Sequence, residues 1–258
     1  MVTRHSPKET LLSWEVNITG KAARKAKLPG KMSKPVKFYY DLLSQPSRAM
    51  VIFLKLARIP YEDLPVALRN GEHLSEDFKN QVNRFQRVPC INDNGFKLSE
   101  SVAIVRYLAN KHKIPDTWYP QDAKKQALVD EYLEWQHNNT RITCALYFQL
   151  MWLKPLLTGK KPTEKEVDTH LQRVVTTLDA IENIWLEKTP FLAGNEVTVA
   201  DLWAACEIEQ LTLTPYDFRK GRPRLTAWLE KVRSSSNPHY DEAHKILKKL
   251  AEKTSAKL

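Results

Sequence analysis

The chain has 258 residues, 42% of them hydrophobic and 27% charged, the balance of a globular protein with room for one large domain or two small ones. No apolar run approaches the ~20 residues that a helix needs to cross a bilayer, so a helical membrane protein is excluded. The net charge of +10 is uneven: residues 1–34 hold eight Lys/Arg against Glu9 and Glu15, a net of +6, which leaves +4 for the rest. A mildly basic body suits an anionic small ligand, and neither a nucleic-acid nor a membrane partner is expected.

Residues 1–34 show no apolar periodicity and read as a disordered basic extension. Leu11-Leu12 is too short for a secretory core, and the scarcity of Arg argues against a mitochondrial presequence, so a cytoplasmic location is expected. Residues 35–112 alternate strand and helix patterns. Val36, Phe38 and Tyr40 alternate as a strand, and a helix starts near Pro46, where the missing N–H of proline costs nothing. Ala49, Ile52, Phe53 and Leu56 follow at helical spacing, and Ile59-Pro60 ends the helix. A second strand is expected over Tyr61–Val66 and a short helix near Ser75–Asn83. Val88–Asn92 and Phe96–Leu98 read as a hairpin across Asp93-Asn94-Gly95, and a last helix runs from Ser101 to Lys111. The order βαβαββα gives a mixed sheet with helices on both faces, a thioredoxin-like α/β domain. Residues 113–122, rich in Pro and aromatics, read as a linker. Residues 123–258 carry only helical patterns, with capping boxes at Thr163/Glu166 and Thr198/Asp201.

Four sequence points can carry chemistry, and each also has a local explanation. Ser44, at the turn from the first strand into the helix at Pro46, can cap that helix or donate its hydroxyl to a ligand. Pro89 can be a cis-proline that turns the neighbouring backbone toward an extended peptide, or an edge-strand proline. Glu100-Ser101 opens a helix, where backbone N–H groups and the Ser hydroxyl can hold a carboxylate and Glu100 an ammonium, or can merely cap. His73, in a loop, can meet a carboxylate or simply be solvated. Cys90, Cys144 and Cys206 are widely spaced without a CxxC pair, so neither a metal site nor a disulfide framework is expected and a reducing compartment is. No GxGxxG or GxxxxGK[ST] motif occurs, and no nucleotide cofactor is expected.

Asp41-Leu42-Leu43-Ser44-Gln45-Pro46-Ser47-Arg48 resembles the catalytic segment of the theta class of cytosolic glutathione transferases, nearest the theta-1 type and its insect relatives. Gly71-Glu72-His73-Leu74-Ser75, Ser99-Glu100-Ser101-Val102-Ala103-Ile104, Trp118-Tyr119-Pro120-Gln121-Asp122 and Trp135-Gln136-His137 extend the resemblance, which covers about residues 35–250. It implies a glutathione-binding thioredoxin-like domain followed by an all-helical domain that carries the electrophile site. It also implies an enzyme joining the glutathione thiolate to small hydrophobic electrophiles, with glutathione as co-substrate, no other cofactor, and a homodimer. By the same resemblance Ser44 stabilises the thiolate. Gln45, His73 and Arg87 meet the glycyl carboxylate, Val88 pairs with the peptide backbone before cis-Pro89, and Glu100 and Ser101 hold the γ-glutamyl end. Arg141 lies close to that end and to the sulfur, and Phe148 and Trp152 are candidates for the electrophile pocket. Arg87 stands where the family often has Lys, one extra residue lies between Phe78 and Pro89, and a segment that covers the site in vertebrate members is not recognisable, so a more open pocket is expected. Two other classes compete. A thiol-disulfide reductase on this fold needs a Cys where Ser44 stands. A non-catalytic interaction module needs only the fold.

Overall fold

The computed structural model describes residues 34–255. The expectation of a disordered extension over 1–34 lies, Lys34 aside, outside the described residues.

Strand β1 (Val36–Tyr40) is the centre of a four-stranded sheet of order β2-β1-β3-β4. It pairs in parallel with β2 (Tyr61–Pro65) and antiparallel with β3 (Cys90–Asp93), which pairs antiparallel with β4 (Phe96–Ser99). The parallel pair requires a crossover. Helix α1 (Gln45–Leu56) supplies it, and Pro46 stands in its first turn, where the sequence placed it. The period-2 alternation of β1 sends its side chains to two cores. Val36 and Phe38 join α1 and α2 (Ser101–Lys111) in the main core, while Tyr39 joins a smaller cluster with Val66, Phe78 and Cys90. The turn between β3 and β4 is Asn94-Gly95, with φ of 53° and 99°. Two consecutive positive φ values are the geometry that an Asn-Gly hairpin turn supplies.

Two expected elements differ in extent. The helix read over 75–83 is a single helical segment that ends in π geometry over Phe78–Val82. Phe78 is the only buried side chain of those five, so the stretch has one anchor rather than an apolar stripe. The strand read from Val88 starts at Cys90, because Pro89 has no N–H to give a ladder. The Val88–Pro89 peptide bond is cis.

The remaining elements are helical. Helices α3 (Ala123–Gln136), α4 (Ile142–Phe148) and α5 (Lys154–Thr158) form one rod joined by π-helical turns at His137–Arg141 and Gln149–Leu153. Then come α6 (Glu164–Ala180), α7 (Val199–Glu209), α8 (Pro223–Ser236) and α9 (His239–Ser255). Both capping boxes read from the sequence are present, Thr163 with Glu166 and Thr198 with Asp201. The Pro-rich stretch between α2 and α3 packs inward. Trp118 and Tyr119 are buried, and the Val199 N–H donates to the Trp118 carbonyl at 3.0 Å. One continuous core therefore runs from β1 through α1 to α7 and on to Trp228 of α8.

Helix α7 is the hub of this core. Its Asp201 is fully buried, and the carboxylate accepts from the N–H groups of Leu192 and Thr198, from the Thr198 hydroxyl and from the Trp228 indole. Burial pushes the Asp201 carboxyl above its ordinary pKa, and these hydrogen bonds oppose the shift. Asp201→Ala leaves two backbone donors and an indole without partners. The expected loss of unfolding free energy is about 3–5 kcal/mol, read from denaturant midpoints. A loss below ~1 kcal/mol counts against this cap as the organiser of α7.

Candidate functional site

A groove open to solvent lies where the N-terminal ends of α1 and α2 face the α3–α4 rod and α7. Of the residues singled out from the sequence, Arg87, Val88, Pro89, Glu100, Ser101 and Arg141 line it together. They come from three separate stretches of chain. Asn83, Gln136, Trp203 and Glu207 also line it, and sequence reasoning assigned them no role.

Helix α1 reaches the groove at Pro46, while Ser44 and Gln45 are not among the lining residues. Ser44 occupies the N-cap position of α1 with extended backbone angles, yet its side chain makes no capping hydrogen bond. The purely local reading of this serine is therefore not met. The β1–α1 loop is held from two sides. The Asp41 carboxylate accepts from the N–H groups of Leu43 at 2.8 Å and Leu68 at 3.0 Å. Arg48, fully buried in α1, donates to the carbonyls of Leu42 at 2.9 Å and Leu43 at 3.4 Å. Its other terminal nitrogen donates to the Cys206 carbonyl at 3.0 Å and to Gln210 at 2.6 Å, both beyond the groove in the helical part. Burial lowers the Arg48 pKa, while the nearby Glu207 and Glu209 support the charged form.

The β3 side is fixed by Asn83. Its side chain donates to the Arg87 carbonyl at 2.8 Å and accepts from the Phe85 N–H at 3.1 Å, which pins the loop ahead of Val88. The start of α2 is unusual. Glu100 has φ 70° and ψ 108°, a region that side-chain-bearing residues seldom adopt, and it too makes no capping bond. Such a backbone costs on the order of 1–3 kcal/mol and persists where surrounding contacts impose it. Its carboxylate is exposed, while Ser101 is half-buried and accepts from the Trp203 indole N–H at 3.0 Å.

Arg141 closes the first π-helical turn of the rod, the type of irregularity that often re-aims a side chain at a site. One of its terminal nitrogens donates to both Glu207 carboxylate oxygens, at 2.9 and 3.1 Å, and to Gln45 Oε1 at 3.2 Å. Burial pushes the Glu207 carboxyl upward and Arg141 pulls it back. Gln45 is 6% exposed; its Oε1 accepts from Arg141, and its Nε2 has no partner. His73 lies in a short 3-10 turn, Glu72–Leu74, and is not among the lining residues. Phe148 and Trp152 stack at 5.5 Å, and the Trp152 indole donates to Thr254 of α9 at 3.2 Å. Neither lines this groove. Cys90 follows Pro89 but is 1% exposed, and burial pushes its thiol up to about 12, so it offers no thiolate for reductase chemistry.

Known proteins match this arrangement. The family model described as "Glutathione S-transferase, N-terminal domain" matches residues 35–110, and its C-terminal counterpart matches residues 143–236. Glutathione S-transferase theta-1 of Bos taurus is 41% identical over 224 residues, covering 86% of this chain and 92% of the bovine protein. The structure of human glutathione-S-transferase T1-1 in its apo form superposes with a TM-score of 0.80 at 38% identity, covering 84% of this chain and 91% of that one. A human theta-class transferase in complex with the glutathione conjugate of 1-menaphthyl sulfate gives the same TM-score, 0.80, at 38% identity, covering 86% of this chain and 91% of its own.

The Arg48 clamp makes a testable demand. In Arg48→Lys a single ammonium cannot serve the Leu42 and Leu43 carbonyls on one side and Cys206 with Gln210 on the other. An expected destabilisation of about 2–3 kcal/mol follows from the partners left unpaired in a dry interior, measured by chemical denaturation. A variant as stable as the parent overturns the clamp.

Proposed function

The chain belongs to the theta class of the glutathione S-transferases, and we propose that it joins glutathione to small hydrophobic electrophiles with Ser44 as the group that stabilises the thiolate. The observation that carries the reading is the Ser44 hydroxyl. It stands at the N-cap of α1, is not consumed by capping, and precedes by two residues Pro46, which lines a groove walled by Arg87, Val88, Pro89, Glu100, Ser101 and Arg141.

A thiol of ordinary pKa, about 8.5, is only a few per cent thiolate at neutral pH. Lowering it by two units takes about 2.7 kcal/mol. A hydroxyl hydrogen bond to the sulfur anion and the positive end of α1 together supply a stabilisation of that order. The thiolate then attacks the electrophilic carbon, a C–S bond forms, and the leaving group departs with its electron pair. Val88 pairs with the backbone of the tripeptide beside Pro89. Arg87 and His73 attract the glycyl carboxylate. Glu100 takes the ammonium of the γ-glutamyl end, and Ser101 with the first N–H groups of α2 takes its carboxylate. Gln45 accepts from Arg141 through Oε1 and offers its partnerless Nε2 to the glycyl end.

Residues 35–112 in this reading bind glutathione, 113–122 connect, and 123–258 bring the electrophile, with the stacked Phe148 and Trp152 as an apolar wall. The acceptor binding face lies with the helical part because its rod carries both aromatics and Arg141. The working unit is a homodimer. Light scattering at micromolar concentration is expected to give twice the chain mass of 29.9 kDa, and a stable monomer counts against that assignment.

Ser44→Ala is expected to lower turnover about 10²-fold or more with little change in glutathione affinity, because the lost interaction is with the anion and not with the peptide. Titration of the bound thiol by its ultraviolet absorbance supplies the second measurement, with its pKa expected to rise in the variant. Unchanged turnover and an unchanged thiol pKa remove Ser44 from the mechanism.

A further inference from the structure

Helix α5 is the end of the rod that begins with α3, and it presents apolar surface to solvent. None of its five residues, Lys154–Thr158, is buried. Leu156 is 65% exposed and Leu157 73%. A single exposed leucine is ordinary. Two in succession at the end of a rod hold apolar area in water, and such area marks a surface that meets something else. The local backbone keeps them there. Gly159 takes φ 69°, its N–H donates to the Pro155 carbonyl at 2.9 Å, and the chain then turns toward α6. The Thr158 hydroxyl donates to the Lys154 carbonyl at 2.7 Å and accepts from the Lys160 N–H at 3.2 Å. The turn satisfies these polar groups within itself.

The charge beside the leucines has one sign. Residues 149–163 include Lys154, Lys160 and Lys161 and no Asp or Glu. The first acids along the chain are Glu164 and Glu166, at the start of α6. Glu166 is taken up by Lys154 at 3.2 Å and by the Thr163 N–H at 2.8 Å. Lys160, Lys161 and Lys165 are exposed and make no ion pair among the described residues; Glu164 and, one turn along α6, Asp168 oppose them. The last turn of α9 also reaches the rod, through the Thr254 hydroxyl that accepts from the Trp152 indole. It brings Lys253 and Glu252, which offset each other. The excess is small, and it lies with Lys160 and Lys161, the cations that follow the leucines directly.

We propose that the α5 tip is a peripheral docking site for an anionic phospholipid surface, with Leu156 and Leu157 entering the headgroup region and Lys160 and Lys161 meeting the anionic headgroups. Leucines that partition into the interface beside lysines that stay at its charged level are the combination such a surface binds. Size argues for lipid over a protein partner. A specific protein contact buries roughly 1,200 Å² or more in total, beyond what a five-residue helix and its turn offer. A bilayer needs no complementary cavity. The expectation of no membrane partner rests on spanning segments and total charge, in which a tip this short does not register. Docking does not depend on the chemistry proposed above, but it suits it. Phe148 and Trp152 lie on the same rod, two turns and one turn before Leu156, so an apolar electrophile dissolved in the bilayer is brought close to the wall assigned to it.

The experiment sediments the full-length protein with vesicles of phosphatidylcholine alone and of phosphatidylcholine mixed with phosphatidylserine. The expected affinity is at or below the ~10⁴ M⁻¹ of a single myristoyl chain, so lipid is titrated into the millimolar range. Binding is expected to the mixed vesicles only, and to weaken as salt is raised. The double variants Leu156→Ser with Leu157→Ser and Lys160→Ala with Lys161→Ala are each expected to bind about tenfold or more weakly, with an unchanged Tm because the four side chains are exposed. Residues 1–34, with a net charge of +6, are intact in both variants. Binding through them alone leaves all three proteins equal, and that result overturns the proposal. No binding by the parent, or equal binding to phosphatidylcholine alone, also overturns it. A loss confined to the lysine variant overturns the entry of the leucines. A smaller assembly in the leucine variant by light scattering, with vesicle binding unchanged, assigns the leucines to a contact between copies and overturns the lipid. No substrate is present in these measurements, so their failure leaves the role of Ser44 untouched.

Discussion

The buried guanidinium of Arg48 is the constraint from which the site's geometry follows. A cation with no exposure is tolerable only when its hydrogen bonds are made inside the protein. Here they go in two directions at once, to the Leu42 and Leu43 carbonyls and to Cys206 and Gln210. The first pair belongs to the loop that carries Ser44, and the second to α7 and the turn that follows it. Ser44 is thus positioned by the same group that joins the sheet-bearing half to the helical half. The requirement is directional. A hydrophobic residue of equal size can fill the volume, but only a planar fork of donors reaches both sets of acceptors.

Helix α7 receives most of these demands. Asp201 gathers donors at its first turn, Trp203 reaches Ser101, the Cys206 carbonyl takes Arg48, and Glu207 takes Arg141. Ten of its eleven residues are buried, so each polar group within it must be paired. The helix is apolar on every face, the condition of an element enclosed by others rather than laid on a surface. Its polar residues are therefore few and each contacts a different part of the molecule. The groove owes its fixed shape to this. Two of its walls, Trp203 and Glu207, stand on a helix that has no freedom to shift without breaking several hydrogen bonds together.

The strands, the Asn-Gly turn, both capping boxes and the span of α2 were legible in the sequence because each rests on a local signal: alternation, a positive-φ dipeptide, a residue pair three positions apart. The groove's sheet-side residues were legible through the family resemblance. Arg48 stood within the quoted segment without a role. Its acceptors are mostly backbone carbonyls, and carbonyls leave no trace in residue type. Trp203 was invisible for a different reason: inside a run of buried apolar residues, one indole N–H looks like core. Glu207 and Gln45 needed the fold as well, since the pairing through Arg141 joins positions 96 and 66 residues away from it. The strand start at Cys90 and the π-helical stretch Phe78–Val82 have separate causes: Pro89 offers no N–H to the ladder, and the helical stretch has one buried anchor in a mostly polar run.

The distribution of helix caps explains why the groove lies where it does. Helices α3, α6 and α7 satisfy first-turn donors with their own N-cap side chains, Asp122, Thr163 and Thr198. Helix α8 uses the Glu182 carboxylate, which accepts from the N–H groups of Arg224 and Leu225, and α9 uses Asn237. Helices α4 and α5 continue the π-helical turns before them, and among the remaining described helices the exceptions are α1 and α2, whose N-cap side chains, Ser44 and Glu100, bond no first-turn N–H. Both could have been capped by the residues present. Ser is among the best N-caps and Glu100 is followed by another Ser. Instead Ser44 has the extended backbone of an N-cap while its side chain bonds no first-turn N–H, and Glu100 is held at a positive φ that turns its own away. Two helix ends with their positive poles uncapped converge on one groove that also holds Arg87 and Arg141. Glu207 is paired with Arg141 and Glu100 faces the same groove, so the two open helix ends and Arg87 are what remain for the carboxylates of a small peptide. In a chain that caps its other free helix starts, leaving these two open trades local stability for a site that an anionic ligand completes.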